Sequence, residues 1–145
     1  MRVLLQRVRK SRVSVEGKTI AEIGRGYLIL LGIGCQDGEE QARYLVDKIT
    51  HLRIWEDDQG KLNRSLLEMG GEAIVVSQFT LYADTIKGRR PSFSDAAPHD
   101  IAKPLVDRFA DILRGRGIPT QTGEFGAHMM VEIDNDGPVT IWFER

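Results

Sequence analysis

The sequence predicts a single mixed α/β domain spanning residues 1–145, and three observations carry that expectation. Apolar residues alternate with polar ones, or run in short blocks, at both ends of the chain, which is the mark of strands. Two internal stretches repeat apolar residues at three- and four-residue spacing, which is the mark of helices. The helical stretches also interrupt the strand-like ones, giving the order strands, helix, strand, helix, strands. Composition agrees, since 41% hydrophobic and 28% charged residues over 145 positions are ordinary for one domain. A chain of that length buries roughly two-thirds of the surface its unfolded form exposes.

Taken in order, residues 2–34, "RVLLQRVRKSRVSVEGKTIAEIGRGYLILLGIG", read as strands throughout. Val13 and Val15 alternate with polar neighbours, Glu16-Gly17-Lys18 supplies a turn, and residues 27–33 form the two-sided apolar run of a buried strand. A first helix is expected after Asp37, as N-cap with Glu40 as its capping-box partner, burying Ala42, Leu45, Val46, Ile49 and Leu52. Residues 56–71, "EDDQGKLNRSLLEMGG", read as polar connection punctuated by glycine, and residues 73–76 as a central apolar strand. A second helix follows Pro98, with Ile101, Leu105, Phe109, Ile112 and Leu113 on one face and Gly115 and Gly117 as stop signals. Pro104 leaves its start open, because proline fits a first turn better than a helix interior. Residues 118–145 return to strand, interrupted at "NDGPVTIW", residues 135–142. Proline brings no backbone donor and glycine weakens a strand, so this pair belongs at a turn or where another molecule approaches the main chain.

Bulk properties narrow the function classes. The net charge of −1 excludes a strongly basic domain that coats nucleic acid, yet the charge is unevenly spread. Arg2, Arg7, Arg9, Lys10 and Arg12 form one patch without acids, and Lys87, Arg89 and Arg90 form a second beside Phe93. The longest apolar run is far shorter than the ~18 residues of a membrane span, and no signal-peptide pattern opens the chain. A soluble, intracellular protein without membrane partners is expected. The single cysteine, Cys35, allows no internal disulfide and no multi-cysteine zinc site.

Familiar catalytic motifs are missing. "LILLGIGCQDGEE" resembles a dinucleotide loop, but Asp37 stands where the third glycine belongs, and Glu39 and Glu40 lie where a pyrophosphate would sit. No GxxxxGK[ST] phosphate loop occurs. His51, His99 and His128 show no metal-ligand spacing, so no metal or cofactor is expected. Ser77 lacks the glycines of a nucleophile elbow, and Cys35 reads as a small filler. Side-chain catalysis has no evident owner. What remains is "SQFTLYAD", residues 77–84, where an apolar strand changes to small polar residues. A strand end frees backbone N–H groups, which can hold a developing oxyanion without any special side chain.

At these two segments the chain resembles the D-aminoacyl-tRNA deacylases, with "SQFTL" at residues 77–81 and "NDGPVT" at residues 135–140 matching both family signatures. The resemblance extends along the chain through "MRVLLQRV", "KITHLRIWED" and "KGRRPSFSDAAP". It implies an α/β fold with a barrel-like sheet core and two main helices, and a homodimer in which the Gly137-Pro138 loop of each subunit enters the partner's pocket. The Gly-Pro peptide is cis in the family, a state that only about one X–Pro bond in twenty adopts. The implied activity is hydrolysis of the ester of D-aminoacyl-tRNA, and of glycyl-tRNA, at the acceptor end, in the cytoplasm. No further protein partner is implied. The preferred mechanism for that activity has the backbone N–H groups of Phe79 and Thr80 hold the oxyanion; by family match Gln78 and Met129, with Ser77, bind substrate, Gly137 and Pro138 reject L-residues, and Arg7 supports their loop. A covalent role for the Thr80 hydroxyl competes with the backbone mechanism but has no matched base in the sequence. Two other readings stand beside the enzyme: a non-catalytic tRNA-binding module using the two basic patches, and a structural homodimer without ligand.

Overall fold

The computed structural model describes every residue from Met1 to Arg145. Its organising element is β1, Arg2–Val15, which pairs with three other strands. The turn at Glu16 and Gly17 returns the chain as β2, Lys18–Ile23, antiparallel to the second half of β1. Then β3, Gly26–Gly32, runs antiparallel to the first half. Strands β6, Glu72–Ser77, and β7, Thr120–Thr122, extend the sheet in parallel beside β3, and β8, Met129–Glu144, covers the whole length of β1. The path β2-β1-β3-β6-β7 curls back on itself. The Gln121 side chain of β7 closes it by accepting from the Glu22 N–H and donating to the Glu22 carbonyl of β2. The outcome is a nearly closed, barrel-like sheet.

Strand alternation sorts the apolar residues onto two faces. Val8, Val13, Ala21, Ile23, Leu28, Ile74 and Val76 fill the barrel interior. Val3, Leu5, Tyr27, Ile29, Leu31, Ala73 and Val75 point outward to the helices. β1 contributes even-numbered Val8 and odd-numbered Val13 to the same interior because Arg9 is an extra residue against β8, whose partners step from Asn135 to Asp134 while β1 steps from Val8 to Lys10. Such a bulge flips the alternation that follows it.

Helices α1, Glu39–Thr50, and α3, His99–Gly115, cover the outer face. Ion pairs of Glu39 with Arg108 (2.9 Å) and of Asp47 with Arg116 (3.2 Å) join them. Several sequence expectations are corrected. Gly38, not Asp37, caps α1, and the Gln41 side chain accepts from its N–H, because Asp37 is drawn away by partners described below. Residues 56–71 are more than connection: with Trp55 they form a small hairpin, β4 at Trp55–Glu56 and β5 at Leu62–Arg64, and they hold a one-turn helix α2, Leu66–Met69, with a Ser65/Glu68 capping box. The buried face of α3 is shifted, with Ala102 and Val106 inside and Ile101 exposed, because the helix begins at His99 and carries Pro104 on its solvent side. Pro104 offers no N–H to the Asp100 carbonyl, a loss tolerated at this exposed position. Finally, β8 continues through residues 135–142 with a local excursion instead of breaking.

Candidate active site

The ladder of β6 ends at Ser77, and the Gln78 N–H makes one last bond, to the Leu31 carbonyl at 2.8 Å. The chain then turns into a 3₁₀ segment, Phe79–Tyr82. The first donors of any helix have no partner inside it. Accordingly, the N–H groups of Phe79 and Thr80 bond no other protein group. Beside them lies a cavity of about 440 Å³, within the size range of small-molecule sites. Ser77, Gln78 and Phe79 form one wall, His99 and Ala102 at the start of α3 another, and Phe125, His128 and Met129 a third. No Asp, Glu, Lys or Arg lines it. Thr80 follows the wall without lining it, and its hydroxyl accepts a hydrogen bond from the Gln78 amide. No basic side chain bonds that hydroxyl, so nothing is placed to deprotonate it.

The 3₁₀ segment is held from below. Gly32 and Gly34, the glycines of the apparent dinucleotide loop, let it cross the end of β3 closely. A Cβ on Gly34 would lie 2.6 Å from the Tyr82 hydroxyl, and one on Gly32 would lie 3.1 Å from the Gln78 carbonyl. Asp37 accepts from the Gly34 N–H (2.6 Å), the Tyr82 hydroxyl (3.2 Å) and the Met1 ammonium (2.5 Å), which is why it does not cap α1. Burial first, and then the charge of Asp37, push the Tyr82 phenol well above its ordinary pKa, so it stays a donor. Arg2 completes the clamp, donating to the Leu81 carbonyl at 3.0 Å with its guanidinium 4.3 Å from the Tyr82 ring centroid.

The Gly137-Pro138 loop arises from register. Gln6 pairs with Thr140 and Val8 with Asn135, so only Arg7 faces Asp136, Gly137, Pro138 and Val139. The surplus residues must bow outward. The Asn135 side chain spans the bow, accepting from the Val139 N–H (2.9 Å) and donating to the Val139 carbonyl (3.2 Å). Arg7, buried at 7% exposure, donates to the Asp136 carbonyl at 2.8 Å and to the Ile54 carbonyl, and lies over the Trp55 ring. Trp55 is fixed in turn by donating to the Tyr27 hydroxyl at 3.1 Å. The Gly137-Pro138 peptide is cis, both residues are exposed, and neither lines the cavity of its own chain.

Of the residues singled out from sequence, the fold therefore brings Ser77, Gln78, Phe79 and Met129 to one cavity, and Arg7 to Gly137 and Pro138 elsewhere. Sequence reasoning passed over His99 and His128, which line the cavity from segments far apart in the chain. Nothing in their spacing could have paired them. No three His, Cys, Asp or Glu side chains converge as a bound metal would require. The first basic patch proves neutralised: Arg2 pairs with Glu144, Arg7 and Arg9 with Asp136, Lys10 with Glu22, and Arg12 with Glu132. Lys87, Arg89 and Arg90 form no ion pair and are exposed.

Comparison with known proteins agrees in fold and in sequence. Chains described as D-aminoacyl-tRNA deacylase from Thermomicrobium roseum and Roseiflexus castenholzii are 58% and 60% identical, over 99% and 97% of this chain and 94% and 90% of theirs. One from Limosilactobacillus reuteri is 50% identical over the full length of both. A solved structure described as c-Myc DNA Unwinding Element Binding Protein has a TM-score of 0.94 at 40% identity, covering 100% of this chain and 99% of that one. Another, described as a probable eukaryotic D-amino acid tRNA deacylase, has a TM-score of 0.84 at 22% identity, covering 98% and 97%, which shows the shared fold. Residues 4–144 match the family described as D-Tyr-tRNA(Tyr) deacylase, and this chain belongs to that family.

Proposed function

We propose that this protein hydrolyses the ester bond of D-aminoacyl-tRNA, releasing free tRNA and the D-amino acid, and that it works in the cytoplasm, where that substrate is made. The observation that carries the reading is the pair of unbonded N–H groups at Phe79 and Thr80 beside a cavity without acidic or basic chains other than two histidines. Ester hydrolysis passes through a tetrahedral oxyanion, and fixed backbone donors in a sheltered pocket stabilise that charge without reorganising. The 2′-hydroxyl of the terminal ribose helps activate the attacking water. Met129 and Phe125 supply apolar surface for the terminal adenosine, and Ser77 and Gln78 the polar contacts.

Chirality is decided by the Gly137-Pro138 loop of a second subunit. With the amino group and carbonyl of the substrate fixed, exchanging enantiomers exchanges the Cα hydrogen and the side chain, so a rigid wall on one side excludes every L-residue. Glycine has no side chain to exclude, and glycyl-tRNA is accepted. Three features support a two-subunit site: the braced, exposed loop, its absence from its own cavity, and an apolar row across three strands, half-buried Leu30 and Leu4 and exposed Trp142, in register on β3, β1 and β8. The non-catalytic RNA-binding reading loses support, because one of its two basic patches is consumed by ion pairs.

The direct test incubates the purified protein with D-Tyr-tRNA and L-Tyr-tRNA. Cleavage of the D-ester alone is expected, and equal cleavage of both, or of neither, overturns the proposal.

A further inference from the structure

We infer that the loop between Asp84 and Ser92 is a phosphate-binding finger that grips the backbone of the single-stranded 3′ end of the tRNA next to the active-site cavity. The inference rests on the functional reading above and assigns residues to a part of the substrate that the cavity does not hold.

The loop is built as a projection from the cavity wall. Asp84 and Ser92 exchange backbone hydrogen bonds of 2.8 and 2.9 Å, which closes its base. One stem residue, Phe93, packs edge-on against Phe79 of the cavity at 5.0 Å between ring centroids. The chain beyond it is stitched to the end of β3, with the Cys35 N–H on the Asp95 carbonyl (3.3 Å) and the Ala97 N–H on the Ile33 carbonyl (2.8 Å), and Ala97 and Ile33 both line the cavity. Arg89 stands three residues from Ser92, a span of at most about 10 Å. Its charge is thus tethered a short span from the stem that seats Phe93 on Phe79 of the cavity wall.

The charge itself is uncompensated. Lys87, Arg89 and Arg90 occur with no acid between Asp84 and Asp95. Elsewhere on the protein, cations so clustered have been matched with carboxylates: the five basic residues of β1 all have acidic partners, and Arg43 and Arg108 share Glu39. Three like charges held within four residues repel one another, so their arrangement is relieved by an anion from outside. A cavity lined by no Asp, Glu, Lys or Arg offers no partner for a phosphate, which suits the phosphate-free aminoacyl-adenosine end, while the phosphates begin where that nucleoside ends. Ile86, 89% exposed beside the cations, gives the tip one apolar surface for a base or sugar. Cations on a mobile-length side chain next to an apolar contact suit a single strand better than a rigid duplex groove.

The test compares wild type with the K87A/R89A/R90A variant on two substrates: D-Tyr-tRNA, and D-tyrosyl-adenosine, which has the ester but no phosphate. The variant should raise KM for the tRNA at least about tenfold at physiological salt, and flatten the dependence of log(kcat/KM) on log salt by about two, from three lost single-strand contacts. Its turnover of D-tyrosyl-adenosine should equal that of wild type. An unchanged salt slope, or equal losses on both substrates, overturns the inference. Loss of duplex-DNA binding by the variant with an unchanged tRNA KM overturns it as well, by assigning the loop to another partner. If wild type cleaves neither substrate, the functional reading itself has failed, which is a separate result.

Discussion

Thr80 and Phe79 make opposite predictions about the chemistry. The Thr80 hydroxyl is engaged by the Gln78 amide and by no base, so Thr80→Ala should retain turnover within about tenfold, measured by release of D-tyrosine from D-Tyr-tRNA. Phe79→Pro deletes one N–H that bonds nothing in the protein, at the opening position of a 3₁₀ segment where proline's φ is tolerated. It should lower kcat by about 10² to 10³ with the fold intact by circular dichroism, whereas Phe79→Ala, which loses the ring and keeps the donor, should not. Met129 offers a third handle on the pocket. A Cβ on Gly123 would fall 2.7 Å from the Met129 sulfur, the far end of a flexible chain, so Gly123→Ala should displace that side chain, raise KM and leave the melting temperature nearly unchanged.

Among the elements, the bowed segment of β8 depends most on one side chain. Arg7→Ala would strip the donors from two backbone carbonyls, those of Asp136 and Ile54, at a cost on the order of 2 to 4 kcal/mol in urea unfolding. It should also weaken the discrimination of D- from L-Tyr-tRNA, since Gly137 and Pro138 lose their brace. Strand β3 and the 3₁₀ segment each carry a tyrosine that should make stability fall in alkali. Burial, foremost, pushes the phenols of Tyr27 and Tyr82 above their ordinary values. An acid whose folded-state pKa exceeds its unfolded one contributes stability below the unfolded value, near 10, and that contribution is lost as pH rises further. Unfolding free energy should therefore drop above pH ~10, by up to about 1.4 kcal/mol per pH unit for Tyr27 alone, and the Tyr27→Phe variant should show a shallower decline.

For the whole molecule, the proposed two-subunit site would use the row of half-buried Leu30 and Leu4 and exposed Trp142 as its seat. A stable dimer needs roughly 1,200–2,000 Å² of total buried surface. A Trp142→Glu variant should shift the protein toward monomer by analytical ultracentrifugation, and its preference for D- over L-Tyr-tRNA should fall in step with the dimer fraction. A monomer with undiminished chiral preference would refute the shared site.

Strand and helix periods, and with them the fold class, were legible in the sequence because alternation and three-to-four spacing are local properties of the chain. So were the two signature segments. The features that failed to read were those that local patterns cannot hold. Asp37 looked like a helix cap until the fold brought Tyr82 and the Met1 ammonium to it, and the basic run of β1 looked like a ligand surface until β8 and β2 set acids opposite it. His99 and His128 became neighbours of Ser77 only through the crossover of α3 and the return of β8. Sequence alone determined which main-chain segments are unusual. Tertiary structure decided which N–H groups are left without acceptors and which charges without partners, because both depend on residues far apart in the chain meeting in space.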